Sequence, residues 1–147
     1  MIKTTFILSA NSNEAVLYSK KNNERMLTEV EHFECPECKL HDSELVSDKP
    51  GRVAQQSGKR TKGLSTTLSP KERVIEMFAK SLCEYLDKAR KENQFDDLIV
   101  ASSPKFLGVL NSKLSEETTK KITQSINKDL SQKKGPSLLK AINKMKV

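Results

Sequence analysis

Apolar and polar positions divide this chain into a strand-rich beginning, a long polar segment and a helix-rich remainder. Residues 4–10, 14–19 and 26–33 carry the alternating or mainly apolar patterns that predict β-strands. The sequence Asn11-Ser12-Asn13 is typical of a turn between the first two strands. Because such short connections cannot form crossovers, we predict an antiparallel meander of three strands.

The strongest helix prediction begins at Ser69. Ser69 is a candidate N-cap, Pro70 fits the first helical position, and Glu72 completes a capping box. One apolar face follows at helical spacing and consists of Val74, Phe78, Leu82, Tyr85, Leu86 and Ala89. The helix is expected to end between residues 91 and 93, with Cys83 as a buried small hydrophobe.

An α/β pattern follows this helix. Residues 98–101 form a continuous apolar run, which is typical of a strand buried on both faces. Ser103 and Pro104 then begin a second helix, with Phe106, Leu107 and Leu110 facing inward. Within residues 120–130 the spacing of Ile122 and Ile126 also suits a helix, and this pattern leaves helix and strand open. After a break at Gly135-Pro136, a short final helix is predicted from the spacing of Leu138, Leu139, Ile142 and Met145.

The polar segment between the strands and the first helix spans about residues 42–69. Structureless stretches of that length inside a small domain are usually functional or disordered. This one is rich in side chains that bind anions, so we expect phosphate contacts from Arg52, Lys59, Arg60 and Lys62. The loop would be shaped by Asp48, Pro50 and Gly51. A solvated loop without a ligand is the alternative, because the Walker pattern G-x4-G-K-[ST] is missing.

Length and charge narrow the classes of function. At 147 residues, with 35% hydrophobic and 31% charged residues, the chain can form one ordinary domain over 1–147. The net charge of +7 is uneven, since residues 1–50 hold 6 basic and 9 acidic residues and residues 51–147 hold 20 and 10. This asymmetry favours an anionic partner, with nucleic acid the first candidate. A lysine-rich surface without a specific partner is the alternative.

The sequence shows no features of a membrane-spanning or secreted protein, and this pattern indicates the cellular compartment. No run approaches the ~20 apolar residues that span a bilayer, and the run after Lys3 is too short for a secretory signal. Three cysteines are an odd number, which argues against a disulfide framework. We therefore expect a cytoplasmic protein.

Histidine and cysteine residues cluster in one short window. His32, Cys35, Cys38 and His41 have the spacing H-x2-C-x2-C-x2-H, and all four residue types bind zinc. The Cys-x2-Cys pair is also the spacing of a redox dithiol. We favour incidental turn residues, because four ligands from one turn leave little chain to close a tetrahedron. No other cofactor is indicated.

Acid–base catalysis receives little support from the sequence. The pattern G-x-S-x-G is missing, and neither histidine lies near a recognisable serine or aspartate pattern. Carboxylates are clustered in the polar segment, but exposed carboxylates are more often solvated or paired than catalytic. A non-enzymatic role is therefore favoured over a phosphodiester or ester hydrolase that uses Asp42, Asp48 and Arg52.

Five segments lie in order between residues 4 and 146 and form one recognisable set, which comprises 45–52, 78–79, 95–101, 104–110 and 128–130. The patterns S-D-x-P-G-R and A-x-x-P-x-x-L-G-x-L are the most specific of these. Together these segments resemble the bacterial host attachment protein family, which is described as required for attachment to host cells. The chain has Asn111 where the family often has an arginine.

This family looks related to the central domain of the eukaryotic and archaeal peptide release factors. The resemblance implies an α/β fold, with a mixed sheet, flanking helices and an RNase H-like layout. It also implies a strand rather than a helix over residues 122–127. In release factors the loop before the long helix carries Gly-Gly-Gln, whereas the corresponding segment here contains Gln55-Gln56-Ser57-Gly58. Peptide release is therefore not expected.

The resemblance and the charge pattern together predict a non-enzymatic module that binds RNA or the ribosome through its basic loop. A role in attachment to the host would then be indirect, because a cytoplasmic protein is not an adhesin. The first alternative is a protein-interaction or surface attachment factor that contacts host-attachment machinery.

Overall fold

The computed structural model describes residues 2–40 and 69–144 of the chain. Within these ranges the elements are, in chain order, β1 (Thr4–Ala10), β2 (Glu14–Lys21), β3 (Thr28–Glu34), a 3₁₀ helix (Pro36–Lys39), α1 (Pro70–Lys91), β4 (Asp97–Ser102), α2 (Pro104–Lys113), α3 (Glu116–Thr119), β5 (Ile122–Ile126) and α4 (Pro136–Lys144). None of these helices is both long enough and apolar enough to span a membrane.

The strands form one mixed sheet in the order β3-β2-β1-β4-β5. The antiparallel pairing of β1 with β2 and of β2 with β3 confirms the predicted meander. β4 pairs parallel to the other edge of β1, and β5 pairs parallel to β4. The predicted α/β class with a mixed sheet and flanking helices is confirmed. The strand order is compatible with an RNase H-like layout.

Helix α1 follows its predicted start closely. The Ser69 hydroxyl accepts a hydrogen bond from the Glu72 amide (3.1 Å), and Glu72 Oε1 accepts one from the Ser69 amide (3.0 Å). This reciprocal capping box satisfies two of the amides that a helix start leaves unpaired. Most of the predicted apolar face of α1 is buried, and Cys83 is buried with it. Val74 and Tyr85 of this face are half-buried.

Strand β5 resolves the ambiguity between residues 120 and 130. The spacing of Ile122 and Ile126 also suits a helix, but the segment is a strand paired with β4. Residues four apart share a face in a strand as well as in a helix, so this spacing could not separate the two. The strand implied by the family resemblance is confirmed. The short helix α3 was not predicted.

Two hydrophobic cores lie on opposite faces of the sheet. Because side chains alternate along a strand, Phe6 and Leu8 of β1 face α1 and α2, whereas Ile7 faces α4. Residues 98–101 of β4 are buried, as predicted, and they contribute to both cores. Complete burial of one large aliphatic side chain contributes about 1.5–3 kcal/mol, so both cores hold the helices to the sheet.

Candidate functional site

A crevice lies between the first turns of α1 and α2, at the carboxyl ends of the parallel strands β1 and β4. Its volume is about 520 Å³. Ser12 reaches it from the β1–β2 turn, Ser69 and Lys71 from α1, and Ser103 and Lys105 from α2. In open α/β sheets, ligands bind in crevices outside the carboxyl ends of adjacent strands. We call this feature the β1–β4 crevice.

The same tripeptide begins both helices at the crevice. Ser69-Pro70-Lys71 starts α1, and Ser103-Pro104-Lys105 starts α2. Proline suits the first helical position, but a lysine beside it opposes the helix macrodipole at a cost of about 0.3–1 kcal/mol. A helix N-terminus also favours anions, so an anionic ligand at this crevice would offset the unfavourable placement of the two lysines.

The N-terminus of α2 is less completely satisfied than that of α1. Ser103 makes no side-chain capping hydrogen bond to the part of the chain that is described, and the fully described first turn of α2 contains no acidic residue. The neighbouring Ser102 is buried, and its hydroxyl donates to the Ser103 carbonyl oxygen at 3.1 Å. The Ser103 hydroxyl, the Lys105 ammonium and the first-turn amides therefore form the part of the crevice best suited to a phosphate group.

Two carboxylates also line the crevice, and both have partners within the protein. Glu72 is held in the capping box of α1. Glu76 Oε1 lies 3.1 Å from the Nζ atom of Lys113 in the last turn of α2. A carboxylate occupied in a cap or an ion pair is poorly placed to take a proton from a substrate. The crevice is therefore better suited to binding an anion than to hydrolysing one.

A polar contact beneath the crevice fixes the turn that carries Ser12. Asn11 Oδ1 accepts hydrogen bonds from the amides of Asn13 (2.8 Å) and Glu14 (3.0 Å). Its Nδ2 atom donates to Asp129 Oδ2 (3.3 Å) and to Ser131 Oγ (3.1 Å). Desolvation alone would raise the pKa of Asp129, but the hydrogen bonds from Ser131 and Asn11 lower it. The carboxylate therefore stays charged and holds Asn11 in place.

A second polar cluster joins the C-terminal half of α1 to α3. Asp87 Oδ1 accepts hydrogen bonds from Ser115 Oγ (2.8 Å), Arg90 Nη2 (2.9 Å) and Thr118 Oγ1 (3.1 Å). These donors, led by the Ser115 hydroxyl and the Arg90 guanidinium, hold the pKa of Asp87 well below its usual range. We call these four residues the Asp87 cluster. The three donors to Asp87 Oδ1 all belong to this cluster, which indicates a structural role.

The cysteine pair of the predicted metal cluster is joined in a disulfide. Cys35 and Cys38 are covalently linked, with their Cα atoms 5.3 Å apart. The odd cysteine count argued against a disulfide framework, and it did not anticipate this single local disulfide. Cys83 is the free cysteine, and burial raises the pKa of its thiol to about 11.

The predicted zinc cluster is only partly within the described ranges. His32 Nε2 lies 3.5 Å from Oε1 of Glu14, at the start of β2, and 3.9 Å from Oε2 of Glu34, at the end of β3. In the ranges 2–40 and 69–144, no group of three or more side chains is placed to hold a metal ion. His41 lies outside them, so the four-residue site stays a prediction, with Cys35 and Cys38 able to act as ligands only when reduced.

The basic loop also lies outside the described residues. This applies to the predicted phosphate contacts Arg52, Lys59, Arg60 and Lys62, to the loop-shaping residues Asp48, Pro50 and Gly51, and to the carboxylate Asp42 of the hydrolase alternative. Their roles stay predictions. In the sequence this segment leads directly into Ser69, which lines the β1–β4 crevice.

Sequence reasoning did not identify the crevice lysines. Lys71 and Lys105 lie more than thirty residues apart in the sequence, and no local spacing connects them. The signal that could have found them is the repeated Ser-Pro-Lys at two predicted helix starts. Its meaning depends on β1 and β4 being parallel neighbours, which brings both helix starts to one edge of the sheet.

Comparisons with known proteins bear on the identity of the chain. A comparison with proteins of curated function found no match. The family described as "Protein required for attachment to host cells" matches residues 6–142. This match includes most of β1, the other four strands, the β1–β4 crevice, the Asp87 cluster and nearly all of α4. The chain therefore belongs to the host attachment protein family, whose description assigns it a role in attachment to host cells.

Proposed function

We propose that this host attachment protein binds the phosphate backbone of RNA without cleaving it, with ribosomal RNA as the form that it meets in the cytoplasm. The observation that carries this proposal is the β1–β4 crevice, where Lys71 and Lys105 occupy equivalent positions at two helix N-termini. Helix N-termini hold phosphate through their free amides and their dipole, and lysine adds a full charge.

The basic loop extends this surface in the proposal. Arg52, Lys59, Arg60 and Lys62 precede Ser69 in the sequence, and Ser69 lies in the wall of the crevice. Contacts from these side chains would be directed to phosphates, which position a nucleic acid without reading its sequence. Asp48, Pro50 and Gly51 would shape the loop that presents them.

Binding without catalysis is favoured by the chemistry of the crevice. Glu72 and Glu76 are engaged by a cap and by Lys113, so neither is available as a general base. The aromatic residue in the lining, Phe106, is buried in the core and offers no exposed ring for base stacking. We therefore expect weak dependence on RNA sequence.

The role in host attachment would be indirect under this proposal. An RNA-bound or ribosome-bound protein changes attachment through the synthesis of other proteins that reach the cell surface. A direct protein-interaction role is the competing function that the experiment below separates from this one.

The test is co-sedimentation of the protein with ribosomes and with purified RNA across a salt series. The crevice variant carries Lys71→Gln and Lys105→Gln, and the loop variant carries Arg52, Lys59, Arg60 and Lys62 changed to Ala. Phosphate binding releases counterions, so affinity should fall steeply with salt, and each lost contact lowers the slope by about 0.7–0.9. The crevice variant should therefore lose about 1.4–1.8 from the slope.

The matched control is Lys140→Gln with Lys144→Gln. These lysines are exposed on α4, which packs on the opposite face of the sheet, and their loss changes the net charge equally. The control should co-sediment like the wild type. Equal loss in the control and the crevice variant would reduce the effect to net charge. If the wild type does not co-sediment at any salt concentration, the proposal fails in favour of a protein-interaction role.

A further inference from the structure

The disulfide between Cys35 and Cys38 lies where the chain passes from β3 to the side of α1. Cys38 is fully buried and Cys35 is 6% exposed, and both belong to the core that contains Phe78 and Leu82 of α1. Cys35 also lines a groove of about 210 Å³ together with Val74, Met77 and Phe78. The disulfide therefore cross-links the 3₁₀ segment within itself, and both of its cysteines pack against the second turn of α1.

The covalent loop that this disulfide closes is very short. Only Pro36 and Glu37 separate the two cysteines. A disulfide stabilises a fold by reducing the conformational entropy of the unfolded chain, and this effect increases with the length of the closed loop. A loop as short as this one therefore contributes little stabilisation. A disulfide that adds little to the stability of the fold is correspondingly easier to reduce without unfolding the protein.

The site also accommodates the reduced state. Cys38 Sγ lies 3.8 Å from the carbonyl oxygen of Val74. In the disulfide this sulfur carries no hydrogen, but a Cys38 thiol at the same place would donate to that carbonyl. Burial of the thiol would therefore not leave a polar group without a partner. The disulfide and dithiol states therefore differ by one covalent bond, and neither state buries a charged sulfur.

We propose that Cys35 and Cys38 form a redox-active pair that exchanges between disulfide and dithiol with small-molecule thiols of the glutathione class, and that its disulfide fixes the shape of the 3₁₀ helix that packs against the start of α1. In a cytoplasmic protein, a disulfide is more often redox-sensing than structural. The proposal does not depend on RNA binding, because it concerns the contact between the 3₁₀ helix and α1.

The exchange proceeds in two steps. An external thiolate attacks Cys35 Sγ through the groove, a mixed disulfide forms at Cys35, and the Cys35–Cys38 bond breaks with its electron pair on Cys38, which takes up a proton. A second thiolate attacks the external sulfur of the mixed disulfide, and Cys35 leaves as a thiolate and is protonated. Two small thiols are oxidised to one disulfide as the protein disulfide is reduced.

The position of the pair connects its redox state to the β1–β4 crevice. Val74 and Met77 face the disulfide groove, whereas Ile75 and Glu76 of the same two helical turns face the crevice. When the disulfide is reduced, the 3₁₀ helix is held by packing and by the hydrogen bonds from Cys38 N to Cys35 O and from Leu40 N to Glu37 O. The first two turns of α1 then pack against a 3₁₀ helix that is no longer constrained by its internal cross-link.

The test equilibrates the folded protein in glutathione buffers from fully reduced to fully oxidised, then alkylates it under denaturing conditions and counts the modified cysteines by mass. We expect one modified cysteine, Cys83, at the oxidised limit and three at the reduced limit, with circular dichroism unchanged. Amide hydrogen exchange on the same samples should be at least ten-fold faster in the reduced protein over residues 36–40 and 74–78, and unchanged in β1 and β4.

Two variants separate the switch from a general loss of stability. Cys35→Ser should exchange like the reduced wild type at every glutathione ratio, and it retains the Cys38 thiol beside Val74. Cys83→Ala should keep the full redox response. One unchanging thiol count across all buffers, or equal hydrogen exchange in the two redox states, would overturn the proposal.

Discussion

The two polar regions along α1 differ in the open space around their polar groups. In the Asp87 cluster, at the C-terminal half of the helix, the carboxylate receives its donors from Arg90, Ser115 and Thr118 of the protein itself. In the β1–β4 crevice, at the N-terminus, Lys71 and Lys105 line an open volume of about 520 Å³. The closed cluster stabilises the fold, whereas the open one leaves room for a ligand. Substitutions in the two regions should therefore separate stability from binding.

The largest effect is expected at the closed cluster. Asp87→Ala removes an acceptor shared by three donors and leaves Thr118, which is buried, without its carboxylate partner. Hydrogen bonds to charged groups contribute about 1.5–3 kcal/mol, so the free energy of unfolding should fall by about 2–3 kcal/mol. Urea denaturation measures this change, and RNA co-sedimentation of the folded variant should remain at the wild-type level.

Glu84→Ala is the matched control for this variant. Glu84 is exposed on the same helix, and its removal changes the net charge equally. We expect a change within about 0.5 kcal/mol, as for most surface substitutions. Equal destabilisation by Asp87→Ala and Glu84→Ala would show that the cluster has no special role.

The pH dependence of stability should also report the contribution of the Asp87 carboxylate to the folded state. The pKa of Asp87 is lower in the folded protein than its ordinary value of 3.8, so the folded state favours the ionised carboxylate. The stabilisation is therefore present above pH 3.8 and is lost as the pH falls from there towards the lowered pKa. Asp87→Asn does not titrate, so the stability difference between wild type and variant should be constant between pH 5 and 7.

Below about pH 4, that difference should become smaller, because the wild type alone loses the contribution of ionised Asp87. Denaturation of both proteins at intervals between pH 2 and 7 measures it, and other carboxylates cancel in the comparison. A difference that grew on acidification would mean that the pKa of Asp87 is raised by folding, contrary to the geometry of the cluster.

A substitution in the β1–β4 crevice should have the opposite effects to Asp87→Ala, with a gain of stability and a loss of binding. Lys105→Glu places a negative charge in the first turn of α2, where the helix dipole favours it, so stability should rise by about 0.5–1 kcal/mol. The same change should abolish binding to RNA if the crevice holds phosphate. Gain of stability with loss of binding is the expected behaviour of a functional site that opposes local stability.

The control for this substitution is Lys144→Glu. Lys144 lies in the last turn of α4, where a positive charge is favoured, so the same replacement should lower stability by about 0.3–1 kcal/mol and leave binding unchanged. Urea denaturation and co-sedimentation give both readouts. A stability loss in Lys105→Glu as large as that in Lys144→Glu would show that Lys105 stabilises the fold rather than serving a ligand.

The fold could be predicted from the sequence wherever local patterns were sufficient. The capping box at Ser69, the apolar face of α1 and the buried run of β4 depend on neighbouring residues, and they were confirmed. The segment 122–126 was ambiguous from periodicity, because an edge strand exposed on alternate positions shows the same spacing as a helical face. The resemblance to a known family supplied what the spacing lacked.

The candidate site was harder to predict than the fold, because its parts meet only through the topology of the sheet. Asp87 and Ser115 are separated by 28 residues, and Asn11 and Asp129 by 118. Ser-Pro-Lys at each helix start is visible in the sequence, but its convergence at one crevice requires β4 to lie parallel beside β1. The sequence pattern placed the phosphate contacts in the basic loop, and those residues lie outside the part of the chain that the structure describes.

The smallest expected effect on stability concerns buried serine hydroxyls in the sheet. It tests whether a buried hydroxyl without a hydrogen-bond partner marks a functional site. Ser9 of β1 is buried, and in the described part of the chain its hydroxyl has no hydrogen-bond partner. Ser102, one strand away, is also buried, but its hydroxyl donates to the Ser103 carbonyl oxygen. Ser9→Ala should therefore raise stability by at most about 1 kcal/mol, since it removes a buried group that gains nothing from folding.

Ser102→Ala should instead lower stability by about 1 kcal/mol, because a made hydrogen bond is lost next to the start of α2. The two variants delete the same atom on adjacent strands, so urea denaturation of both gives a direct comparison of an unpaired and a paired hydroxyl. Destabilisation by Ser9→Ala as large as that by Ser102→Ala would mean that Ser9 has a partner in solution. The carboxyl end of β1 would then contain a second polar site, on the α4 face of the sheet.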